Sequence, residues 1–402
     1  MRMSKKKEIV PKFRFPEFQR DGIDFVHGNK LFKSITNKNH NSDLPILAIT
    51  QDQGAVPRDQ IEYNVTVTDK SLSNYKVVEV GDFIISLRSF QGGIEYSRFK
   101  GICSPAYIIL RKREENISEL YYKYFFKTWR YIQSLNRNLE GIRDGKMISY
   151  SQFSSVKVPY PRSFKEQQKI ADCLSSIDEL IDAENRKLKA LEKYKKGLMQ
   201  KLFPAEGKTL PEWRFPEFRG KSEWRIKPLG KICTNYDSRR IPITEKDRVK
   251  GEIPYIGASG VIDYINDFIF DEDLLCVSED GANLVARTYP IAFSISGKTW
   301  VNNHAHVLKF SHKYTQEIVE SYLNMINLQD FLTGMAQPKL NRAKLDIIPI
   351  PLPEEEEQQK IADCLSEVDK IITEQSNKVE QLKAHKKGLM QGLFPSLEEA
   401  DV

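Results

Sequence analysis

The sequence predicts two α/β (α+β) domains in tandem, separated by two long helices that pair with each other as an antiparallel intramolecular coiled coil with pseudo-two-fold symmetry. Three observations carry this. Residues 166–204 (EQQKIADCLSSIDELIDAENRKLKALEKYKKGLMQKLFP) and 357–395 (EQQKIADCLSEVDKIITEQSNKVEQLKAHKKGLMQGLFP) align without a gap and are identical at more than half of their positions, far beyond coincidence within one chain. A shorter pair lies upstream, PKFRFPEF at 11–18 and PEWRFPEF at 211–218. Each long repeat also follows a Pro-x-Pro stop, at Pro159 and Pro161 and again at Pro351 and Pro353, where a helix cannot continue from upstream. The chain thus divides into a first variable domain (1–160), a first repeated helix (161–204), a second variable domain (205–353) and a second repeated helix with its tail (354–402).

Apolar residues in each repeat fall on alternating steps of four and three, the a/d stripe of a coiled coil. In the first copy they are Ile170, Leu174, Ile177, Ile181, Leu188, Leu191, Leu198 and Leu202; in the second, Ile361, Leu365, Val368, Ile372, Val379, Leu382, Leu389 and Leu393. Glu184 and Lys195 interrupt the first stripe, and Gln375 and Lys386 interrupt the second at matching steps. Polar seam residues either fix register or reach water where the seam opens. About 35 residues at 1.5 Å rise give helices of roughly 50 Å. The heptads leave the direction of pairing open. A pseudo-two-fold axis would make it antiparallel, a rod with one variable domain at either end.

The variable domains share a looser pattern. In the first, alternation predicts strands at 76–80, 83–87 and 107–110, and the aromatic-rich stretch 120–135 reads as an amphipathic helix. In the second, strands are expected at 273–278, 291–295 and 304–310, with a matching helix at 316–332. Similar scaffolds with diverged loops imply one task performed on two targets.

The chain has 402 residues with 40% hydrophobic and 29% charged composition and a mean hydropathy of −0.49. This excludes a disordered chain, and the longest uncharged apolar runs, 107–110 and 347–352, are too short for a bilayer. The basic start (1–7) leads into no apolar segment, so no secretory signal is expected. The five cysteines form no C-x-x-C pair, and Cys173 and Cys364 occupy the same repeat position, as buried positions repeated rather than bridges or metal ligands. A cytoplasmic protein is expected. The net charge of +6 is uneven: residues 1–160 are basic, 205–348 are balanced and the tail is acidic. A polyanion-binding surface on the first domain is compatible with this, as is a merely solvated one.

Motifs for catalysis fail one by one. AFSISGKT (292–299) has Ala292 where a phosphate-binding loop needs glycine, and its GKT leads into a predicted strand rather than a helix. SPAY (104–107) is similar to an amino-methyltransferase motif but lacks the second proline, and no glycine-rich strand-to-helix turn accompanies it. His304 and His306 face one side of a strand without an evident third ligand. The acidic run 354–357 is a helix N-terminus. No catalytic residue and no metal site is expected.

With this layout, the chain resembles the DNA-specificity subunit of type I restriction-modification enzymes. The resemblance covers essentially the whole chain and rests on the duplicated EQQKIADCL…KKGLMQ-LFP helices and their Pro-x-Pro lead-ins. GDFIISLRSFQGGIEYS (from Gly81), SEDGANLVARTYP (from Ser278), GKTWVNNHAHVL (from Gly297) and the KLNRAKL segment (from Lys339) look like target-recognition domains. The resemblance implies that each variable domain reads one half of a split sequence in double-stranded DNA, without catalysis by this chain. The helices would set the spacer and dock two methyltransferase (modification) subunits, to which two restriction (motor-nuclease) subunits add. S-adenosylmethionine, ATP and Mg²⁺ would belong to those partners, with none bound here and no membrane involved. Two other classes stay open on the residues alone, a self-sufficient DNA-modifying enzyme and a coiled-coil scaffold whose domains bind proteins.

For base reading, the turn Arg88, Ser89, Gln91 combines arginine and glutamine, suited to bidentate base contacts, with the close-approach glycines Gly92 and Gly93. Its counterpart offers Glu279 and Asp280, able to accept from cytosine, and Asn283, suited to adenine; Asn302 completes that set. Arg98, Lys100, Arg143, Lys146, Lys298, Lys339 and Arg342 are expected to clamp phosphates.

Overall fold

The computed structural model describes residues 10–41, 43–61, 72–137, 148–334 and 337–395. They form two compact units, Met1–Glu184 with Lys378–Val402, and Asn185–Asn377. Each unit therefore combines one variable domain with the first half of one long helix and the second half of the other.

The long helices run Phe164–Leu202 and Glu355–Leu393, 39 residues each, about 58 Å at 1.5 Å per residue. Acidic first turns, Glu166 in one and Glu355 to Glu357 in the other, suit the positive end of the helix dipole. Within the first unit Lys386 pairs with Asp178, and Lys378 with Glu184 at 2.6 Å. Within the second, Lys195 meets Asp369 at 2.5 Å. Numbers rise on one helix as they fall on the other, so the pairing is antiparallel. Lys195 and Lys386 hold the same repeat position, as do Asp178 and Asp369, so one ion pair is made twice. Those lysines reach the facing carboxylates and specify register; Gln375 is buried.

All sixteen stripe residues are buried or half-buried, but the stripe's ends do not simply face another helix. Ile170, Leu174, Leu389 and Leu393 join the core of the first unit with Tyr121 and Phe125. Leu198, Leu202, Ile361 and Leu365 join the core of the second with Val319 and Leu323. Phe394, just past the second helix, lies 5.1 Å from the Tyr121 ring. Its counterpart Phe203 lies 5.7 Å from Tyr322.

In the first unit, Phe32–Ile35, Ile108–Lys112, Phe83–Ile85 and Glu95–Tyr96 form an antiparallel sheet in that order. Phe32, Phe83, Tyr122 and Phe126 pack on it edge-to-face or tilted, with ring centroids 5.0 to 5.6 Å apart. In the second, the antiparallel order is Thr234–Asn235, Ala305–Lys309, Leu274–Ser278, Ala292–Ile295. A further mixed sheet, Gly260–Ile265, Lys250–Gly257, Lys298–Val301, Phe270–Asp271, adjoins it. The strands expected at 76–80, 83–87, 107–110, 273–278, 291–295 and 304–310 are all present, shifted at their ends. The helix expected at 120–135 is two, Glu119–Phe125 and Trp129–Arg137, and the one at 316–332 is Lys313–Met325. Cys173 and Cys364 are half-buried, and all five cysteines are free.

The short repeat is clasped by the long one. Arg14 donates from Nε and Nη2 to Glu166 at 2.7 and 2.9 Å, and Arg214 donates likewise to Glu357 at 2.8 and 2.6 Å. Both carboxylates are buried, Glu166 at 0% exposure, and Glu357 holds the Arg214 guanidinium more firmly protonated than usual. The next residue, Gln167 or Gln358, donates to the carbonyl of Pro161 or Pro353. The same lead-in also touches the end of the other helix: Phe13 N–H donates to Gly392 and Trp213 N–H to Lys201. Strand Ile23–His27 then pairs with Lys157–Pro161, and Arg225–Pro228 with Pro349–Leu352.

Removing one partner of such a pair strands a buried charge, at about 3–5 kcal/mol. Arg14→Met is therefore expected to destabilise the first unit by that order, raising hydrogen exchange around residues 15–35 while the region around Arg214 keeps its protection. Unchanged exchange in residues 15–35 would show that the clasp does not hold the unit together.

Candidate nucleic-acid interface

In the first unit, strand Phe83–Ile85 ends in a turn that becomes the short helix Ser89–Gly92. Arg88 and Gln91 stand exposed on it. Ser89 is buried, and its hydroxyl accepts from the Ser86 N–H at 2.9 Å, so it shapes the turn. Gly93 is at φ +82°, where a Cβ would sit 2.2 Å from the Phe126 carbonyl, so only glycine fits. Lys127 pins the turn from beneath, donating to the carbonyls of Gly92 and Gln51 and to Glu95 Oε1 at 2.5 Å. Glu95 is 2% exposed, and its Oε2 is buried without a partner. Burial pushes its pKa up to about 6 against the pull of Lys127.

The structure does not gather the other basic residues of this unit at the turn. Lys100 forms an exposed pair with Glu79 at 3.1 Å. Arg98 is exposed; its charge, after burial, helps to lower Lys123 to about 8. Arg143 and Lys146 lie outside the described residues.

In the second unit, several of the chosen residues converge. Residues 279–281 run against 338–340: Leu340 N–H donates to the Glu279 carbonyl at 2.8 Å and Gly281 N–H to Pro338 at 3.1 Å. Glu279 accepts from Arg240 at 2.7 Å and lies 3.2 Å from Lys339 and 3.8 Å from His306. Asp280 meets His304 at 2.8 Å. Asn283 spends its amide on the Tyr289 backbone, and buried Asn302 accepts from the His304 N–H. Lys298 lies apart, over the Phe268 ring, and Arg342 faces Asp346 one helical turn on.

His306, 1% exposed, holds this cluster together. Its Nε2 lies 2.7 Å from the Leu340 carbonyl and its Nδ1 2.6 Å from Asp237, whose other oxygen accepts from the Val307 N–H. Both ring nitrogens therefore face oxygen acceptors. Burial would raise both carboxyls. At Asp237 the His306 hydrogen bond outweighs it; at Glu279 the Arg240 hydrogen bond and the His306 charge do, and both carboxyls sit below their usual range. Asp237, Glu279 and His306 are spaced closely enough to hold a metal ion, and the Arg240 guanidinium contacts both carboxylates, 3.5 Å from Asp237 and 2.7 Å from Glu279. His304 lies outside the strand and exposed, so the two histidines do not share a site.

Sequence reasoning missed Arg239, Arg240 and Lys127. The Arg239 guanidinium lies 4.5 Å from the Tyr236 ring and 4.7 Å from Phe270, two parallel rings that present it as a fixed planar fork. The run YDSRR (236–240) was the available signal. The GKT of 297–299 opens the strand Lys298–Val301 and no helix follows, and SPAY is a turn between strands Gly101–Cys103 and Ile108–Lys112. Among the described residues no helix is long and apolar enough to cross a membrane.

Both halves of the chain match known proteins. The family described as type I restriction modification DNA specificity domain matches residues 21–193 and again 221–383. The chain belongs to that family. Among specificity subunits, S.HindORF215P of Haemophilus influenzae is 33% identical over 153 residues, 38% of this chain and 39% of that one, so this match spans about two fifths of the Haemophilus protein. The MjaVIII specificity subunit of Methanocaldococcus jannaschii is 25% identical over 355 residues, 81% of this chain and 80% of that one. The crystal structure of an S subunit from M. genitalium superposes with a TM-score of 0.59 over 96% of this chain and 99% of that one, at 15% identity. The specificity-subunit fold is thus shared where little sequence is.

Glu95 gives this site a pH signature. Unfolded, the carboxyl titrates near 4.5; folded, near 6. The folded state holds its proton longer, so the contribution is complete below pH 4.5 and is lost as pH rises through 6, about 2 kcal/mol in all. The stability difference between wild type and Glu95→Gln, from urea unfolding, is expected to fall across that window and to be level above pH 7. A difference level from pH 4 to 7 would contradict it.

Proposed function

We propose that this chain is the DNA-reading subunit of a type I restriction-modification complex and performs no catalysis itself. In this reading each variable domain contacts one half of a bipartite target in double-stranded DNA. The paired helices set the spacer and dock two methyltransferase subunits, and two restriction subunits complete the assembly. S-adenosylmethionine, ATP and Mg²⁺ chemistry lies in those partners, and the complex works in the cytoplasm. The observation that carries the reading is the repetition of one scaffold with different loops. The Arg14–Glu166 and Arg214–Glu357 clasps are the same contact, while one unit presents Arg88 and Gln91 and the other Arg239 and Lys339. Conserved supports under unlike reading surfaces are what two half-sites of different sequence require.

In the first unit Arg88 and Gln91 are the base-reading candidates, because they stand exposed on a turn braced by Lys127. In the second, Arg239 joins Lys298, Lys339 and Arg342 as a candidate for phosphate or base contact. Two reading domains in one chain with a set spacer demand a fixed spacing between half-sites.

The test is single-molecule methylome sequencing of cells that express this chain with its modification partner. A split, spaced motif that depends on the chain is expected, and substituting Arg88 and Gln91 together is expected to change or lose one half-site while sparing the other. No new methylation from an assembled complex would reject DNA reading.

A further inference from the structure

The carboxylate of Glu279, chosen from sequence as a base acceptor, does not face outward for that purpose. Its side chain is 13% exposed and is shared among Arg240, Lys339 and His306. Arg240, 12% exposed, pairs with both Glu279 and Asp237, and buried His306 lies against the same two carboxylates. Lys339 is the outer cation, 50% exposed, and among the described residues its ion pair is with Glu279 at 3.2 Å. Its backbone is fixed by the ladder between 279–281 and 338–340, so the ammonium can change partner without moving the loop.

We propose that Glu279 occupies the position of a DNA phosphate on Lys339 in the free protein, and that Lys339 exchanges this internal carboxylate for a backbone phosphate when a duplex enters. Glu279 then lowers affinity for DNA of any sequence, since every duplex must displace it before Lys339 contributes. A carboxylate and a phosphodiester are interchangeable partners for an ammonium. Arg240 stays with Glu279 throughout, donating also to the Ala305 carbonyl, so the exchange leaves no buried carboxylate unpaired. This inference rests on the DNA-reading function proposed above.

The test measures binding of the full chain to a random-sequence duplex as a function of salt. Glu279→Gln is expected to bind several-fold tighter at an unchanged slope of log affinity against log salt, because Lys339 meets one phosphate in both proteins; Lys339→Met is expected to lower that slope by about one ion, the yield of one phosphate contact. Lys339→Met combined with Glu279→Gln is expected to cancel the gain in affinity. Glu279→Asp keeps a charge beside Arg240 while drawing it back from Lys339; it guards against misfolding of the glutamine variant and is expected to raise affinity by less. If the wild type binds but neither Glu279 variant differs from it, or if the gain survives loss of Lys339, the exchange is overturned while DNA reading stands. If neither wild type nor variants bind any duplex even at low salt, DNA reading fails and the exchange with it.

Discussion

Each unit depends on a buried arginine–carboxylate clasp between an eight-residue lead-in and the first turn of a long helix. A desolvated ion pair contributes less than its short distances suggest, because removing both charges from water costs nearly what their attraction returns. Its value lies in geometry. Arg14 must present a fork to both oxygens of Glu166, and that fixes where the chain enters the unit, how the helix begins and which strand pairs with Lys157–Pro161. Gln167 secures the preceding turn through the Pro161 carbonyl. Replacement by apolar residues of similar size could keep the volume but not the direction.

The clasp also explains why both halves of the sequence are needed to complete either unit. The lead-in that carries Arg14 donates its Phe13 N–H to Gly392, near the end of the other helix, and Phe394 there fills the core beside Tyr121 and Phe125. Gly392 has no side chain to conflict with the Phe13 ring, which would stand 2.1 Å from a Cβ. The matching place in the second unit pairs Trp213 with Lys201. The two repeats have diverged together where lead-in and helix end meet, as expected when each contact is tuned separately while the backbone path is kept.

Much of this was legible in sequence because repetition and heptad spacing are local signals. Antiparallel pairing was inferred from symmetry, and the lysines at 195 and 386, ambiguous in sequence, turned out to meet Asp369 and Asp178. What was not legible depends on contacts between distant residues. The helix expected at 120–135 breaks after Phe125, where Thr128 bonds back to the Phe125 carbonyl and Lys127 turns toward Gly92 and Glu95. Its aromatic periodicity continues across the break, since both pieces feed one core. The helix from Lys313 stops at Met325, where Asn324 has already turned to bridge Ile291 and Ala292. The hairpin of Lys250–Gly257 and Gly260–Ile265 was missed because exposed Val261, Ile262 and Tyr264 break the usual alternation.

The same distance limits the reading of charged loops. A glutamate in a loop advertises an acceptor, but the partner that occupies Glu279 is Arg240, 39 residues earlier, and the one that holds Asp237 is His306, 69 residues later. Sequence also weighs Arg88 and Lys339 alike as cations, whereas their surroundings differ in kind. Arg88 stands over a braced turn whose buried acid, Glu95, has an oxygen without a partner and titrates high. Lys339 stands against a carboxylate whose burial is outweighed by Arg240 and His306, which hold it below its usual range. One surface is open to an anion as it stands; the other must release an internal anion first. Two loops on equivalent supports therefore differ in more than the groups they display, because the charges beneath decide which of those groups is free to meet a phosphate or a base.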